Sequence, residues 1–294
     1  MADRQRVDER ERDALPTDAL PGNAHAGGPM AATDAPPGDT LADGQLAATD
    51  ALAGDHGAGA PAPRRSVVAC ATPGLHSGLV AAALRHCGAG EPLEYFDVAA
   101  VAAPLVRQWR VLNLDEYISA LHQHRSTADG VFGVVLQWSH LRWLHRQVTG
   151  VTQLTAGRTL PVLARIAPAA HYVLVREAAR DMQAVRLTLA RAAPGGAARP
   201  HHVAANLTLI EAAERAWLRW FDDAGIAPVT LTVHEGPAFE PALPHLAERL
   251  GLRPPAADLS VSEPALTAPG QDLLRRFRAD RADGVLEVEP LLTG

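Results

Sequence analysis

The feature that most constrains this chain is an alternation of short, continuously apolar runs with longer segments of helical periodicity. The runs are "RRSVVACA" from Arg64, "GVFGVVL" at 130–136, "AHYVLV" at 170–175 and "PVTLTV" at 228–233. Runs that are apolar at nearly every position, instead of every second one, suit strands covered on both faces. Between and after them, "SGLVAAALRHCG", "VAAPLVRQW", "LNLDEYISALHQHR", "SHLRWLHRQVTG", "REAARDMQAVRLTLARA", "VAANLTLIEAAERAWLRWFDDAG", "PALPHLAERLGL" and "QDLLRRFRAD" predict helices. Gly88, Gly150 and Gly225 stand where helix stops belong. Asn113, with Glu116 three residues on, approximates a capping box. Leu141, Leu144 and Val148 share one helical face, and the third run is expected to pass directly into its helix at Arg176. Together these signals predict an α/β fold with a central, mostly parallel sheet flanked by helices. Ligands of such sheets bind beyond the carboxyl ends of the strands. That rule selects the turn 71–78, the stretch after Leu136 and the helix start at Arg176.

The apolar residues are 47% of 294, and they do not spread evenly. Residues 1–63 are dominated by Ala, Asp, Gly and Pro, with near-copies such as "AATDAPPGD" and "AATDALAGD" and no aromatic residue. Eleven Asp or Glu and four Arg precede residue 61, whereas the whole chain carries a net −6, so the rest is close to neutral. Burial of so few large side chains cannot offset the entropy of ordering the segment. The expected organisation is therefore a disordered acidic tail, 1–63, and one α/β domain, 64–294.

No run approaches the roughly 18 apolar residues of a membrane span, and the opening residues do not resemble a signal or transit peptide. A soluble, cytoplasmic protein is expected. Cys70 and Cys87 form no C-x-x-C pair, and the histidines of "HQH", "HLRWLH" and "HH" lack a Cys or carboxylate at ligand spacing, so no metal is expected. The apolar faces of "VAAPLVRQW" and "LRWLHRQV" can serve either the core or a homodimer. All 27 basic residues are arginine; the chain contains no lysine. A Walker loop, which needs Gly-Lys-Ser/Thr, is thereby excluded. The near-neutral charge and scattered arginines give no footprint for nucleic acid.

The stretch "CATPGLHSGLVAAALRHCG", residues 70–88, has the form of an anion-holding turn: a strand, small residues in the bend, then a helix whose N-terminal amides and dipole attract negative charge. It holds no lysine or arginine where the anion would sit.

This turn, with "GEPLEYF", "GVFGVVLQW", "VREAARDMQAVRLTLARA" and "ERAWLRWFDDAGIAPVTLTVHE", resembles the bacterial trehalose 2-sulfotransferase family over roughly residues 66–280. The five segments stand in family order. The resemblance implies a P-loop-like sulfotransferase architecture. The implied activity is transfer of a sulfuryl group from 3'-phosphoadenosine 5'-phosphosulfate to a hydroxyl of a carbohydrate or glycolipid, without a metal. Glu94 falls on the family's general base; read from its own surroundings, it is equally a solvated glutamate beside a turn. Gly74, His76, Ser77 and Gly78 fall on the 5'-phosphosulfate cradle, where only Ser77 keeps the family's residue. The arginine of that cradle is Gly74 here, and His76 either supplies a hydrogen-bond donor to the sulfate or caps the helix. Arg176 falls on the 3'-phosphate site. The serine that completes it is Arg186, which can bind a phosphate bidentately, collide with it, or face solvent. The lysine of the second-strand motif is Val135.

These departures lie on the donor side, while the glutamate on the acceptor side is retained. Loss of one preorganised cation typically costs about 3 kcal/mol of transition-state stabilisation. Two expectations follow: an active sulfotransferase, or a relative that keeps the fold as a binding or partner module.

Overall fold

The computed structural model describes residues 62–75, 77–193, 196–234, 242–255 and 265–286. Of the tail expected to be disordered, 1–63, residues 1–61 lie outside the described residues, as does His76.

Four strands form the sheet: β1 (Arg65–Ala71), β2 (Val131–Gln137), β3 (Ala170–Glu177) and β4 (Val229–Val233). Their order is β2-β1-β3-β4, and every pairing is parallel. Helix α1 (Ser77–His86) follows β1. After it come a π-helical turn (Val98–Ala102), α2 (Ala103–Trp109) and α3 (Leu114–Arg125), and α4 (Trp138–Thr149) and α5 (Ala156–Ile166) follow β2. Beyond β3 lie α6 (Arg180–Arg191) and α7 (Pro200–Asp223), and beyond β4 lie α8 (Ala242–Arg249) and α9 (Ala268–Ala282).

The apolar strands are buried because helices cover both faces. Val68 and Cys70 of β1 share a cluster with Phe132, Val134, Leu136 and residues of α2 to α5 and α7. Their neighbours Val67, Ala69 and Ala71 point the other way, into a cluster with α1 and α8. This period of two along one strand feeds two cores at once. A third cluster joins α6, α7 and α9 through Val185, Leu207, Ile210 and Phe277.

Local signals explain the helix ends. Asn113 accepts from the Glu116 N–H at 2.9 Å, and Glu116 accepts from the Leu112 N–H at 2.7 Å, a reciprocal cap at the start of α3. Gly150 ends α4 in the left-handed region at φ 69°.

Three details depart from the sequence reading. β3 runs through Arg176 and Glu177, and α6 begins only at Arg180. α5 was unforeseen, since its Pro161 reads as a helix breaker. Val148 is exposed, while Leu141 and Leu144 are fully buried. These two leucines, with Leu105 and Trp109 of α2, belong to the first core cluster, so both apolar faces open to a dimer reading serve the core.

Candidate active site

The first functional side chain is placed by a backbone segment wedged against β2. A Cβ on Gly133 would lie 2.4 Å from the Ala89 carbonyl oxygen, so only glycine at this strand position lets residues 89–93 pass so close. The Val135 N–H then donates to the Leu93 carbonyl at 2.9 Å. Tyr95 is fully buried and stacks on Phe132, and the Tyr117 hydroxyl donates to the Tyr95 carbonyl at 2.8 Å. Glu94, between these anchors, is thereby held at the carboxyl end of the sheet.

There the Glu94 carboxylate accepts from the Gln137 side-chain amide at 2.7 Å, and the Ser77 hydroxyl binds the same carboxylate. Gln137 is the last residue of β2, and Ser77 the first of α1. Burial pushes the Glu94 carboxyl above its ordinary range and the nearby charge of Asp97 adds to this, while the Gln137 and Ser77 hydrogen bonds pull back. His140, in the first turn of α4, accepts at Nδ1 from the Gln137 backbone N–H at 3.3 Å. Burial lowers its pKa to about 4, so the ring is neutral at pH 7. Among the described residues the hydrogen-bond donors to Glu94 are thus neutral, and a neutral imidazole braces the backbone of one of them, Gln137.

The β1–α1 turn is locked from the side of α6. Gln183, fully buried, donates from Nε2 to the Thr72 hydroxyl and to the Pro73 carbonyl, both at 2.7 Å. Gly74 has φ +77°, and a Cβ there would stand 2.8 Å from Cβ of Leu187. Glycine is therefore required both for the conformation and for the approach. The Leu75 N–H donates to the Thr72 carbonyl, and the Ser77 N–H to the Leu75 carbonyl. The Ser77 amide of the expected cradle, and that of Leu75 within the same turn, are thus engaged internally. Gly78 lies exposed in the first turn of α1.

At the carboxyl end of β3 the arginines meet carboxylates. Arg176 pairs with Glu214 of α7 at 2.5 Å, and Arg180 pairs with the same carboxylate at 3.0 Å. Arg186 pairs with Glu177 at 2.5 Å, with side-chain exposures of 9% and 2%. Arg186 is thus not solvent-facing, and the expected serine position of the phosphate site is filled by a buried ion pair. Arg176 and Arg180 line an open cleft of about 430 Å³ with Glu211, Thr232 and Arg281.

Helix α7 ties the two regions. Trp217, one turn after Glu214, donates its indole N–H to the Ala71 carbonyl at 3.1 Å, capping the end of β1, and Trp138 packs edge-on against it at 5.0 Å. Val135, at the position of the expected lysine, is fully buried in the cluster shared with α1.

The structure therefore brings Glu94 and Ser77 together, sets Arg176 in a cleft beyond β3, and buries Arg186. Gln137, Arg180 and Glu214 were missed by the sequence reading. Gln137 lies in the quoted "GVFGVVLQW" and Arg180 in "VREAARDMQAVRLTLARA", but nothing in either string marks the partner across the fold. Among the described residues, no group of three or more His, Cys, Asp or Glu is placed to hold a metal ion, and no helix is long and apolar enough to cross a membrane. Compared with protein-family models and with curated proteins, the chain matches none.

Proposed function

We propose that this protein is a sulfotransferase-like enzyme, of P-loop-like sulfotransferase architecture. It would move a sulfuryl group from 3'-phosphoadenosine 5'-phosphosulfate to a hydroxyl of a carbohydrate or glycolipid. One observation carries the reading: Glu94 reaches, from a separate segment, both the first residue of the helix after β1 and the last residue of β2. A carboxylate with neutral hydrogen-bond partners, whose charge burial disfavours, is suited to take a proton.

In the reaction, the Glu94 carboxylate accepts the proton of the acceptor hydroxyl as its oxygen forms the new bond to sulfur. The bond from sulfur to the 5'-phosphate oxygen of the donor breaks, leaving adenosine 3',5'-bisphosphate and a sulfate ester. Glu94 then returns its proton to solvent. Gln137 and Ser77 fix the carboxylate against the ends of two strands. Proximity of this kind, with charge stabilisation, is what an in-line transfer asks of a protein.

The donor would lie across the β1 and β3 ends. Gly78 at the exposed start of α1 can offer its backbone N–H to an anion, and Arg176 keeps part of its guanidinium open to the cleft. The cradle arginine has no counterpart, since Gly74 is packed on α6. Both cysteines are free and buried, in keeping with a reducing, cytoplasmic setting.

A specific observation favours the second reading, a binding or partner module on the same fold: Arg186 and the Leu75 and Ser77 amides are engaged internally. The separating experiment is calorimetric titration of the purified chain with adenosine 3',5'-bisphosphate, followed by an acceptor screen. Micromolar binding that Arg176→Ala abolishes, with sulfuryl transfer lowered by about two to four decades in Glu94→Gln, supports the enzyme. No heat up to millimolar ligand removes it in favour of the module.

A further inference from the structure

The side-chain amide of Gln137 stands between two groups whose hydrogen-bonding roles cannot be exchanged. On one side is the Glu94 carboxylate, an acceptor when ionised, to which Nε2 donates at 2.7 Å. On the other is the first turn of α4, where Gln137 is the N-cap and its side chain accepts from the His140 backbone N–H. His140 returns the bond, accepting at Nδ1 from the Gln137 backbone N–H at 3.3 Å. The pair is a capping box with glutamine where serine or threonine is usual and histidine where glutamate or glutamine is. A flip of the amide would turn its oxygen toward the carboxylate and its nitrogen toward a backbone N–H. The box therefore fixes which end of Gln137 faces Glu94. Glu94 is anchored from behind as well, since its carbonyl accepts from the Asp97 N–H at 2.9 Å.

We infer that His140 is a positioning residue that acts through Gln137, committing Oε1 of Glu94 to a hydrogen bond and leaving Oε2 as the oxygen that takes a proton. Gln137 can only donate toward Glu94, so Oε1 accepts from it whether the carboxyl is charged or neutral. A proton on Oε1 would meet the Nε2 donor head on. The proton of an acceptor hydroxyl therefore goes to Oε2 and leaves from there to solvent. Ser77 does not restrict this choice, because a hydroxyl can donate to the charged carboxylate and accept from the neutral one. The bonds run head to tail from the His140 N–H through the amide to the carboxylate, and each polarises the next. The imidazole is buried, and with Nδ1 as acceptor its proton sits on Nε2. That the proton comes from a sulfuryl acceptor rests on the reading of the preceding subsection; the commitment of Oε1 does not.

The test reads Glu94 directly. In the full chain carrying carbon-13 at the glutamate carboxyls, NMR follows the titration of Glu94, assigned as the resonance missing from Glu94→Gln, and thermal melts confirm that each variant folds. His140→Phe keeps an aromatic ring and removes the acceptor, whereas His140→Asn gives up the ring and keeps an oxygen for the Gln137 N–H. The charge of Asp97, which acts on both Glu94 and His140, is the same in all of them. His140→Phe is expected to move the Glu94 titration to higher pH, because the donor that favours the charged form is no longer held, and Gln137→Met to do so directly. His140→Asn is expected to leave it near the wild type. In sulfuryl transfer, His140→Phe should lower kcat about ten- to a hundredfold with the donor KM unchanged, and His140→Asn should restore most of it. The reverse order, with Phe like the wild type and Asn impaired, overturns the inference, since the ring then serves packing alone. So does a Glu94 titration that moves in neither His140→Phe nor Gln137→Met. The wild type alone supplies a further check: nitrogen-15 NMR at pH 7 should find the His140 ring proton on Nε2, and a proton on Nδ1 overturns the inference without any variant. A titration that follows the expected order in a chain that transfers no sulfuryl group upholds the positioning by His140 and removes the sulfotransferase reading.

Discussion

At the carboxyl end of β2, the hydrogen-bond partners of Glu94 among the described residues, Gln137 and Ser77, are neutral, whereas at the carboxyl end of β3 both Glu177 and Glu214 meet arginine. All three carboxylates lie at the same edge of one sheet, yet their chemistry differs. A carboxylate gripped by a guanidinium is held in a fixed geometry by two charges. A carboxylate whose burial is unmatched by a cation has its pKa raised, so its charged form is disfavoured. The absence of lysine sharpens the contrast, since every basic side chain other than histidine is a planar guanidinium. The β3 end pairs its carboxylates with arginine, and the β2 end holds one whose charge burial disfavours.

The largest expected effect breaks the fixed side. Arg186→Ala leaves the buried Glu177 carboxylate without its 2.5 Å partner, and should cost about 3–5 kcal/mol in chemical denaturation at pH 7. A loss below 1 kcal/mol would show that the pair is not a structural anchor.

The next effect tests the neutrality around Glu94. His140 has a folded-state pKa of about 4, below its unfolded value, because it is buried. Its contribution to stability is fully present above the unfolded value, roughly pH 6.5, and is lost as pH falls through 4. The wild type should lose about 3 kcal/mol over that window through this residue. His140→Gln, which can still accept from the Gln137 N–H, should lose correspondingly less. Parallel stability–pH curves for the two proteins would place the acid sensitivity elsewhere, with His122, whose pKa burial also lowers, the first alternative.

Between the two ends stands the turn that α6 clamps. Gly74→Ala forces a Cβ to 2.8 Å from that of Leu187 at φ +77°, and is expected to cost about 2 kcal/mol. Gly78→Ala, with nothing within 4 Å of the new Cβ, should cost much less. Equal melting temperatures for the two variants would mean that the turn is not held against α6.

Much of this was legible in the chain, and the boundary has a physical reason. The strands could be read because burial on two faces demands apolar residues at consecutive positions, as in "GVFGVVL". The α3 cap could be read because Asn113 and Glu116 act within one turn. Glu94 and Ser77 could be singled out, but their meeting depends on Gly133, whose missing side chain admits a segment from forty residues earlier. The fate of the arginines was not legible. Arg176 is paired by a glutamate thirty-eight residues on, and Arg186 by one nine residues back across a strand–helix corner. An arginine in a sequence string looks the same whether it faces a phosphate or a buried carboxylate.

The smallest effect bears most directly on the comparison, because its sign is opposite at the two ends. The folded-state pKa of Glu94 is raised above its unfolded value, so its contribution to stability is present below the unfolded value, near pH 4.3, and is lost as pH rises through the folded one. Glu94→Gln keeps an acceptor for Gln137 and never carries the charge. At pH 4 the variant and the wild type should be equally stable. At pH 8 the variant should be slightly the more stable, by on the order of 0.5 kcal/mol. Glu177→Gln, by contrast, should lose stability at pH 8, because it uncouples Arg186. A residue retained at some cost to the fold, in a place where glutamine would serve packing equally well, is kept for what its charge does. If Glu94→Gln proves clearly less stable than the wild type at pH 8, Glu94 belongs with the structural carboxylates of the β3 end, and the case for it as a base is lost.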